Sequence, residues 1–270
     1  MSCGNIIKYA LCSDCGRYKV ESASLCHDRI CPICTWRRAI KRCATLQGAF
    51  DYLLSENDAY DYYFLTLTVP NCAPGDLSST ISSMSAYWAK LRRRVSFETV
   101  TGWARSLEIT YNQRTHTMHP HYHVILMTSA PLSTSAQNTI INDWCDLSKS
   151  SRAEAQDIRH ITPAEADTED CRRFVKAILE AFKYTQKTSD LDAMPLAEFR
   201  DYVSQIASKR AVAYGGQIKE AIKYLGMSED DTEDEPQPIQ LCYNCKSAKL
   251  LRLIARWSMT DSQYNVVDRY

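Results

Sequence analysis

Three histidines at alternating positions form the most distinctive chemical pattern in this 270-residue chain. His119, His121 and His123 lie in the run HPHYH, directly before an apolar run at residues 124–127. Such alternation is typical of a β-strand, in which every second side chain projects from the same face. Neutral imidazole is a common metal ligand, so the pattern predicts a metal site, although isolated strand histidines can also satisfy buried hydrogen bonds.

Glu108 is the expected carboxylate ligand of this site. It lies in an alternating segment that a polar stretch separates from the histidine strand. In an antiparallel hairpin that reverses at Arg114 and Thr115, Glu108 would face His121, because paired positions have a constant sum. A carboxylate beside the imidazoles of His121 and His123 suits Mg²⁺, Mn²⁺ or another divalent Lewis acid. The alternative for Glu108 is an exposed strand residue.

A second chemical pattern is a helical stripe that contains a candidate nucleophile. Glu180, Tyr184 and Lys187 have the spacing i, i+4 and i+7 within residues 168–187, where the apolar residues predict a helix. A tyrosine between a carboxylate and an ammonium group could act as a nucleophile. The same stripe is equally typical of a solvated helix face.

Two CxxC pairs, separated by fifteen residues, predict a zinc ribbon near the N-terminus. The expected ligands are Cys12, Cys15, Cys31 and Cys34. Cys26 or His27, between the two pairs, could replace one of them. A third pair, Cys242 and Cys245, could share a metal with the N-terminal cysteines or be structural.

The neutral net charge is an average over unlike segments. The chain has 32 basic and 32 acidic residues, but six of the acids lie between residues 229 and 235. Without those six, 32 basic residues face 26 acidic ones, a net charge of +6. A basic body favours a nucleic-acid partner. The residues expected to contact DNA are Arg37, Arg38, Arg92, Arg93 and Arg94, although the first two could also lie on a solvated helix face.

The elements that must position these residues follow from periodicity and turn signals. Strands are predicted at residues 62–69 and 157–162, with the metal hairpin at 103–128 between them. Helices are predicted at 36–54, 77–95 with Asp76 as its cap, 135–148, 196–225 with a break at 213–216, and 249–257. The expected domains are a zinc module with its basic helix (1–55), a catalytic domain (56–226), an acidic linker (227–240) and a tail (241–270).

Several of these features resemble a known enzyme family. They are the strand at residues 64–68, the motif His121-Tyr122-His123, the segment 183–187, the stretch 210–216 and the cysteine-rich N-terminal module. They are similar to the motifs of plasmid rolling-circle replication initiators of the HUH endonuclease superfamily, in the branch with one catalytic tyrosine and a partner glutamate. The resemblance covers residues 10–222, approximately.

The resemblance implies an α+β fold with a central antiparallel sheet flanked by helices, and a zinc-ribbon-like module at the N-terminus. It implies that His121 and His123 hold a catalytic Mn²⁺ or Mg²⁺ and that Tyr184 attacks DNA, leaving a 5′-phosphotyrosine. Glu180 would activate water for a second cleavage. Lys187 is our candidate for the positive charge that assists the phenol, whose unperturbed pKa is about 10.

The implied partner is origin DNA, single-stranded or cruciform, with a host helicase and polymerase as candidate partners. Twelve cysteines, no signal-peptide pattern and no apolar run of membrane-spanning length predict the reducing cytoplasm, here of a prokaryotic host. Two other functions remain open: a mobilisation relaxase or transposase with the same chemistry, and a zinc-ribbon DNA-binding regulator without enzymatic activity.

Overall fold

The structure, a computed structural model, describes residues 3–56, 59–149, 152–161, 178, 182, 188–227 and 239–270. The chain divides into two compact units, residues 1–37 with 231–270 and residues 38–230. In the part of the chain described, no helix has the length and apolar character that a membrane crossing needs.

The described residues form nine strands and six α-helices. The strands are β1 (Ile6–Cys12), β2 (Tyr18–Ala23), β3 (Asp61–Thr68), β4 (Val100–Asn112), β5 (Thr117–Thr128), β6 (Asp157–Ile161), β7 (Val212–Gly215), β8 (Leu250–Ser258) and β9 (Gln263–Arg269). The helices are α1 (Pro32–Glu56), α2 (Leu77–Leu91), α3 (Thr134–Ser148), α4 (Thr188–Asp192), α5 (Leu196–Ile206) and α6 (Gly216–Tyr224).

A five-stranded antiparallel sheet is the centre of the larger unit. Its order is β6-β3-β5-β4-β7, so the two long strands of the metal hairpin lie in the middle. Helices flank the sheet, and the α+β class predicted from the sequence is confirmed. The central position buries most of β5, which explains why an apolar run follows its alternating histidines.

Helix α1 packs on the sheet through a stripe at helical spacing. Leu46, Ala49, Phe50 and Leu53 are buried in one cluster with side chains of β3, β5 and α6. A different stripe, on α2, is also buried, and its members are Leu77, Ile81, Met84, Trp88 and Leu91. These stripes keep α1 and α2 in place by burying apolar surface.

Two predictions for α2 change in the structure, namely its cap and its C-terminal boundary. Asp76 does precede α2, but its side chain makes no capping hydrogen bond. The helix ends at Leu91 rather than residue 95, and the residues that follow form a short 3-10 turn at Val95–Phe97. Helix α3 has a capping side chain, since Ser133 accepts a hydrogen bond from the backbone N–H of Ala136.

The segment 196–225 breaks where the sequence predicted, and the break is a strand. Strand β7 pairs with β4 between α5 and α6. At Gly216, which has φ +58°, an added Cβ would lie 2.1 Å from the backbone oxygen of Thr101. Only glycine combines that conformation with that approach.

The smaller unit contains a four-stranded antiparallel sheet of order β2-β1-β8-β9. The helix predicted at 249–257 is wrong, because these residues form β8, which pairs with β1 from Leu250 to Arg256. Leu253 and Ala255 are buried, whereas Arg252, Ile254 and Arg256 are more exposed, a period of two that fits a strand. The segment predicted as a separate tail thus completes the sheet that the N-terminal residues begin.

Candidate metal centre

The β4–β5 hairpin brings the three predicted ligands together. Glu108 lies directly opposite His121, in the register predicted from the sequence, and the turn falls at residues 113–116. His123 lies two residues further along β5 and therefore projects from the same face of the sheet. The hairpin is central in the sheet, so both strands hold these side chains rigidly.

One carboxylate oxygen of Glu108 contacts both imidazoles. Its Oε2 atom lies 3.1 Å from Nε2 of His121 and 2.8 Å from Nε2 of His123. Adjacent ligands at about 2.1 Å from an octahedral Mg²⁺ are separated by about 3.0 Å. The Glu108 oxygen therefore already lies at the spacing of a neighbouring ligand from each imidazole nitrogen, and all three donor atoms lie within 4.8 Å of one another.

The orientation of His121 also fits a cation. Its Nδ1 atom lies 3.3 Å from the backbone oxygen of His119, which can only accept, so Nδ1 carries a proton. In the neutral ring, Nε2 then directs a lone pair at the carboxylate of Glu108. That arrangement is repulsive unless a proton or a cation lies between the two atoms, and a bound metal ion would supply the positive charge.

The protonation state of Glu108 also favours metal binding, because the carboxylate is ionised. Burial alone would raise its pKa. When protons rather than a cation lie between the carboxylate and the imidazoles, hydrogen bonds and charge from His121 and His123 outweigh burial and lower the pKa below its ordinary value. Glu108 is therefore ionised at neutral pH. Its side chain is 14% exposed, so the carboxylate is largely but not completely shielded from solvent.

His119 lies on the same face but outside the cluster. Its Nδ1 atom contacts Oδ1 of Asn71 at 2.8 Å, and burial together with His121 lowers its pKa. The group that could hold an ion consists of Glu108, His121 and His123.

The predicted nucleophile stripe, Glu180, Tyr184 and Lys187, lies outside the described residues. The chain is described again from residue 188, where α4 begins. Three residues after Lys187, Oδ2 of Asp190 accepts a hydrogen bond of 3.1 Å from the backbone N–H of Tyr111. Strand β4, which carries Glu108, thus anchors the segment that directly follows the predicted nucleophile.

A polar network at the end of the hairpin is a feature that the sequence did not predict. The hydroxyl of Tyr111 donates to Oε2 of Glu198 at 2.6 Å, and Nδ1 of His116 lies 2.9 Å from the other carboxylate oxygen. Burial and Glu198 raise the pKa of Tyr111 to about 12. This phenol therefore stays protonated and fastens α5 to the hairpin. Glu198 lies 87 residues from Tyr111 in the sequence, so only the proximity of the two residues in the fold could have identified this network.

The five arginines expected to contact DNA have different surroundings. Arg94 is engaged in salt bridges with Asp143 at 3.0 Å and Asp146 at 2.8 Å, which leaves less of its charge for phosphate. Arg92 lies over the ring of Trp103 at 4.9 Å, a cation–π contact. The remaining three, Arg37, Arg38 and Arg93, have partly or fully exposed side chains.

Sequence reasoning missed one buried arginine. Arg105 is only 7% exposed, and its guanidinium lies 4.1 Å from the ring of Tyr122 and 5.8 Å from that of Trp88. Burial lowers its pKa, and Arg92 and Arg210 lower it further. Alternation along β4 places Arg105 on the face opposite Glu108, away from the metal centre.

The cysteines form two clusters instead of the single expected site. Cys12 and Cys15 lie with Cys242 and Cys245, while Cys31 and Cys34 lie with Cys3 and Cys26. The two CxxC pairs predicted to share an ion are therefore separated, because each finds closer partners in the folded sheet. The sequence included Cys26 as an alternative ligand and left a metal shared with Cys242 and Cys245 open, but it missed Cys3.

The fold and the site together define an α+β protein with a Glu-His-His centre on the middle hairpin of its sheet. The family model described as "Replication protein" (Rep_1) matches residues 17–265. The chain belongs to this family of replication proteins. The family expected from the sequence motifs is thereby confirmed at the level of a replication protein.

Individual relatives agree with this assignment. A protein named "Protein rep" from Streptococcus pneumoniae serotype 2 is 29% identical over an alignment of 279 positions. The alignment covers 99% of this chain and 83% of that protein. "Protein rep" from Bacillus amyloliquefaciens is 30% identical over 261 residues, covering 86% of this chain and 74% of the relative. No solved structure matches the chain significantly.

Proposed function

We propose that this protein initiates rolling-circle replication of a plasmid by nicking one strand of the origin DNA, with Tyr184 as the nucleophile. The observation that carries the proposal is the Glu108–His121–His123 cluster, with donor atoms 2.8 Å and 3.1 Å apart, in a chain of a replication protein family. Two imidazoles and one carboxylate leave free positions at which a phosphate oxygen can bind. The buried hairpin fixes the ligands before DNA arrives.

The ligands Glu108, His121 and His123 would hold Mn²⁺ or Mg²⁺. When bound, such an ion polarises the scissile phosphate and stabilises the negative charge that develops on it. Nδ1 of His121 contacts the His119 carbonyl and Nδ1 of His123 contacts the Thr66 hydroxyl, each at 3.3 Å, and these contacts keep the imidazole Nε2 atoms directed at this point. Rigid placement of this kind lowers the reorganisation that the reaction needs.

The bond changes in the proposed reaction are those of phosphodiester transfer. The phenolic oxygen of Tyr184 bonds to phosphorus, the bond from phosphorus to the 3′ oxygen breaks, and the phenolic proton is lost to a base. The 3′ oxygen takes up a proton and becomes a hydroxyl that a polymerase can extend. The ammonium group of Lys187 favours the phenolate. Glu180 takes a proton from water in the later step that hydrolyses the phosphotyrosine bond.

Two other functions predict different products. A relaxase or transposase would form the same adduct on DNA from a transfer origin or a transposon end, and the replication family disfavours it. A DNA-binding regulator would bind DNA without cleaving it. That function leaves the Glu-His-His cluster unexplained. The cysteine clusters are proposed to hold structural zinc, separately from the catalytic ion.

The decisive experiment is a search for a covalent adduct. The full chain is incubated with Mn²⁺ and single-stranded oligonucleotides that tile its own replicon, and the products are separated under denaturing conditions. We expect one oligonucleotide to give an adduct with the parent protein and with Tyr224→Phe, an exposed tyrosine that serves as control. Tyr184→Phe should bind the same DNA and form none.

Three results would contradict the proposal. An adduct formed normally by Tyr184→Phe would require another nucleophile. Cleavage with no adduct would indicate direct attack by water. Binding with neither cleavage nor adduct would favour the regulator.

A further inference from the structure

Two turns from distant parts of the sequence have the same backbone structure. In the first, the N–H of Cys12 donates to the oxygen of Arg17 at 2.8 Å, and the N–H of Gly16 donates to the oxygen of Cys12 at 2.9 Å. In the second, the N–H of Cys242 donates to the oxygen of Ser247 at 2.8 Å, and the N–H of Lys246 donates to the oxygen of Cys242 at 2.9 Å. Each turn therefore closes the same two rings around a CxxC pair.

The backbone angles extend the match. The residue after each second cysteine is left-handed, with φ +67° at Gly16 and φ +59° at Lys246. Left-handed lysine is uncommon and strained, so this conformation at Lys246 requires a compensating interaction. This turn repeats the glycine-containing one, so the two CxxC pairs are held in the same backbone geometry.

The sulfurs of these two turns converge. Sγ of Cys12 lies 3.5 Å from Sγ of Cys245, and Sγ of Cys15 lies 3.5 Å from Sγ of Cys242. Zn²⁺ binds thiolates at about 2.3 Å in a tetrahedron, which places neighbouring sulfurs about 3.8 Å apart. A disulfide would need about 2.0 Å. The four sulfurs thus have the spacing of ligands on a single ion.

A second group of four sulfurs has the same spacing. Sγ of Cys34 lies 3.5 Å from Sγ of Cys3 and 3.8 Å from Sγ of Cys26, and Cys31 completes the group. Cys34 lies in the first turn of α1, which begins at Pro32.

We propose that this protein binds two zinc ions, each through four cysteine thiolates, with one site at each end of strand β1. The first site consists of Cys12, Cys15, Cys242 and Cys245, and the second consists of Cys3, Cys26, Cys31 and Cys34. Iron–sulfur clusters fit less well, because their thiolates bind different iron atoms and lie further apart. The proposal does not depend on the nicking reaction.

The first site would also act as a long-range cross-link. Cys15 and Cys242 are separated by 227 positions in the sequence, yet they lie in turns that flank the paired strands β1 and β8. A metal shared across such a separation constrains the unfolded chain and contributes folding free energy. The sheet β2-β1-β8-β9 would then be held by its strand pairing and by zinc together.

Zinc content measured by elemental analysis tests the proposal. The full chain is purified under reducing conditions without chelators, and zinc is measured in the intact protein and after release by a mercurial thiol reagent. We expect two zinc ions per chain in the parent protein and in the control Cys145→Ser, whose thiol lies outside both groups. Cys242→Ser and Cys26→Ser should each retain one ion, and the double variant should retain none.

Other contents would overturn the two-site assignment. One zinc ion in the parent, lost in Cys12→Ser and in Cys31→Ser but kept in Cys242→Ser, would indicate a single N-terminal site. No zinc, or iron in its place, would refute the metal assignment. If a variant does not fold, two zinc ions released from the intact parent still support the proposal and one ion still contradicts it. Adduct formation is measured separately. A parent protein that carries two zinc ions but does not nick DNA would therefore refute only the nicking function.

Discussion

The hydroxyl oxygen of Thr66 lies 3.3 Å from Nδ1 of His123, across the pairing of β3 with β5. A hydroxyl can accept a hydrogen bond from Nδ1–H, and this leaves the lone pair of Nε2 free for an ion. The Thr66 hydroxyl is thus a suitable acceptor for the tautomer that metal binding requires at His123, whereas the His119 carbonyl permits only that tautomer at His121. Such neighbours orient a metal ligand without binding the ion themselves.

Thr66→Val should lower Mn²⁺ affinity by about 10- to 100-fold, because the imidazole of His123 loses the partner that fixes its orientation. Thr66→Ser keeps the hydroxyl and should bind as the parent does. Calorimetric titration measures both affinities. Equal affinity in the valine variant would show that the sheet alone orients His123.

Glu108→Gln should weaken Mn²⁺ binding by at least about 10-fold, because it keeps the shape of the side chain but removes the negative charge that attracts the ion. Glu98→Gln, at an exposed position, serves as the control for loss of one carboxylate. The same titration compares them. A Glu108 variant with parental affinity would have to be dropped from the ligand set.

Glu180→Ala should separate the two halves of the proposed reaction. We expect the variant to nick DNA and to form the tyrosine adduct, but to hydrolyse that adduct about 10²- to 10⁴-fold more slowly, because it lacks the general base for water. The decay of isolated adduct is followed over time, with the yield of adduct as the internal control. Decay at the parental rate would mean that another base activates water.

Asp190→Ala should slow nicking by about 10- to 100-fold, because the segment after Tyr184 loses its hydrogen bond to β4. Mn²⁺ affinity should not change, and Asp190→Asn, which keeps an acceptor oxygen, should restore much of the rate. The exposed Asp192→Ala is the control. Single-turnover assays measure the nicking rates of the parent and the three variants. A parental rate in Asp190→Ala would show that Asp190 does not position the nucleophile segment.

Gly216→Ala should destabilise the larger unit by at least about 2 kcal/mol, through its left-handed backbone and the contact with Thr101. At Gly75, an added Cβ meets no atom within 4 Å, so Gly75→Ala should change the free energy of unfolding little. Urea denaturation of both variants measures the difference. Equal midpoints would show that the backbone relaxes at Gly216 without cost.

The metal hairpin could be predicted from the sequence because the residues that define it lie close together in the chain. Alternation on both strands and a polar turn between them determine the register of Glu108 and His121. The cysteine sites depend instead on which distant strands pair, and no local pattern indicates that β1 lies beside β8. The same reason explains Arg94, whose partners Asp143 and Asp146 lie in α3, about 50 positions further along the sequence.

The pairing of β1 with β8 also bears on synthesis by the ribosome. Leu250, at the start of β8, is translated 238 positions after Cys12, at the end of β1. At about 5–20 residues per second, that interval lasts on the order of 10–50 s. During this time β1 lacks the neighbour β8, and Cys12 and Cys15 lack Cys242 and Cys245. The sheet that contains both strands can therefore be completed only after residues 38–230 have been synthesised.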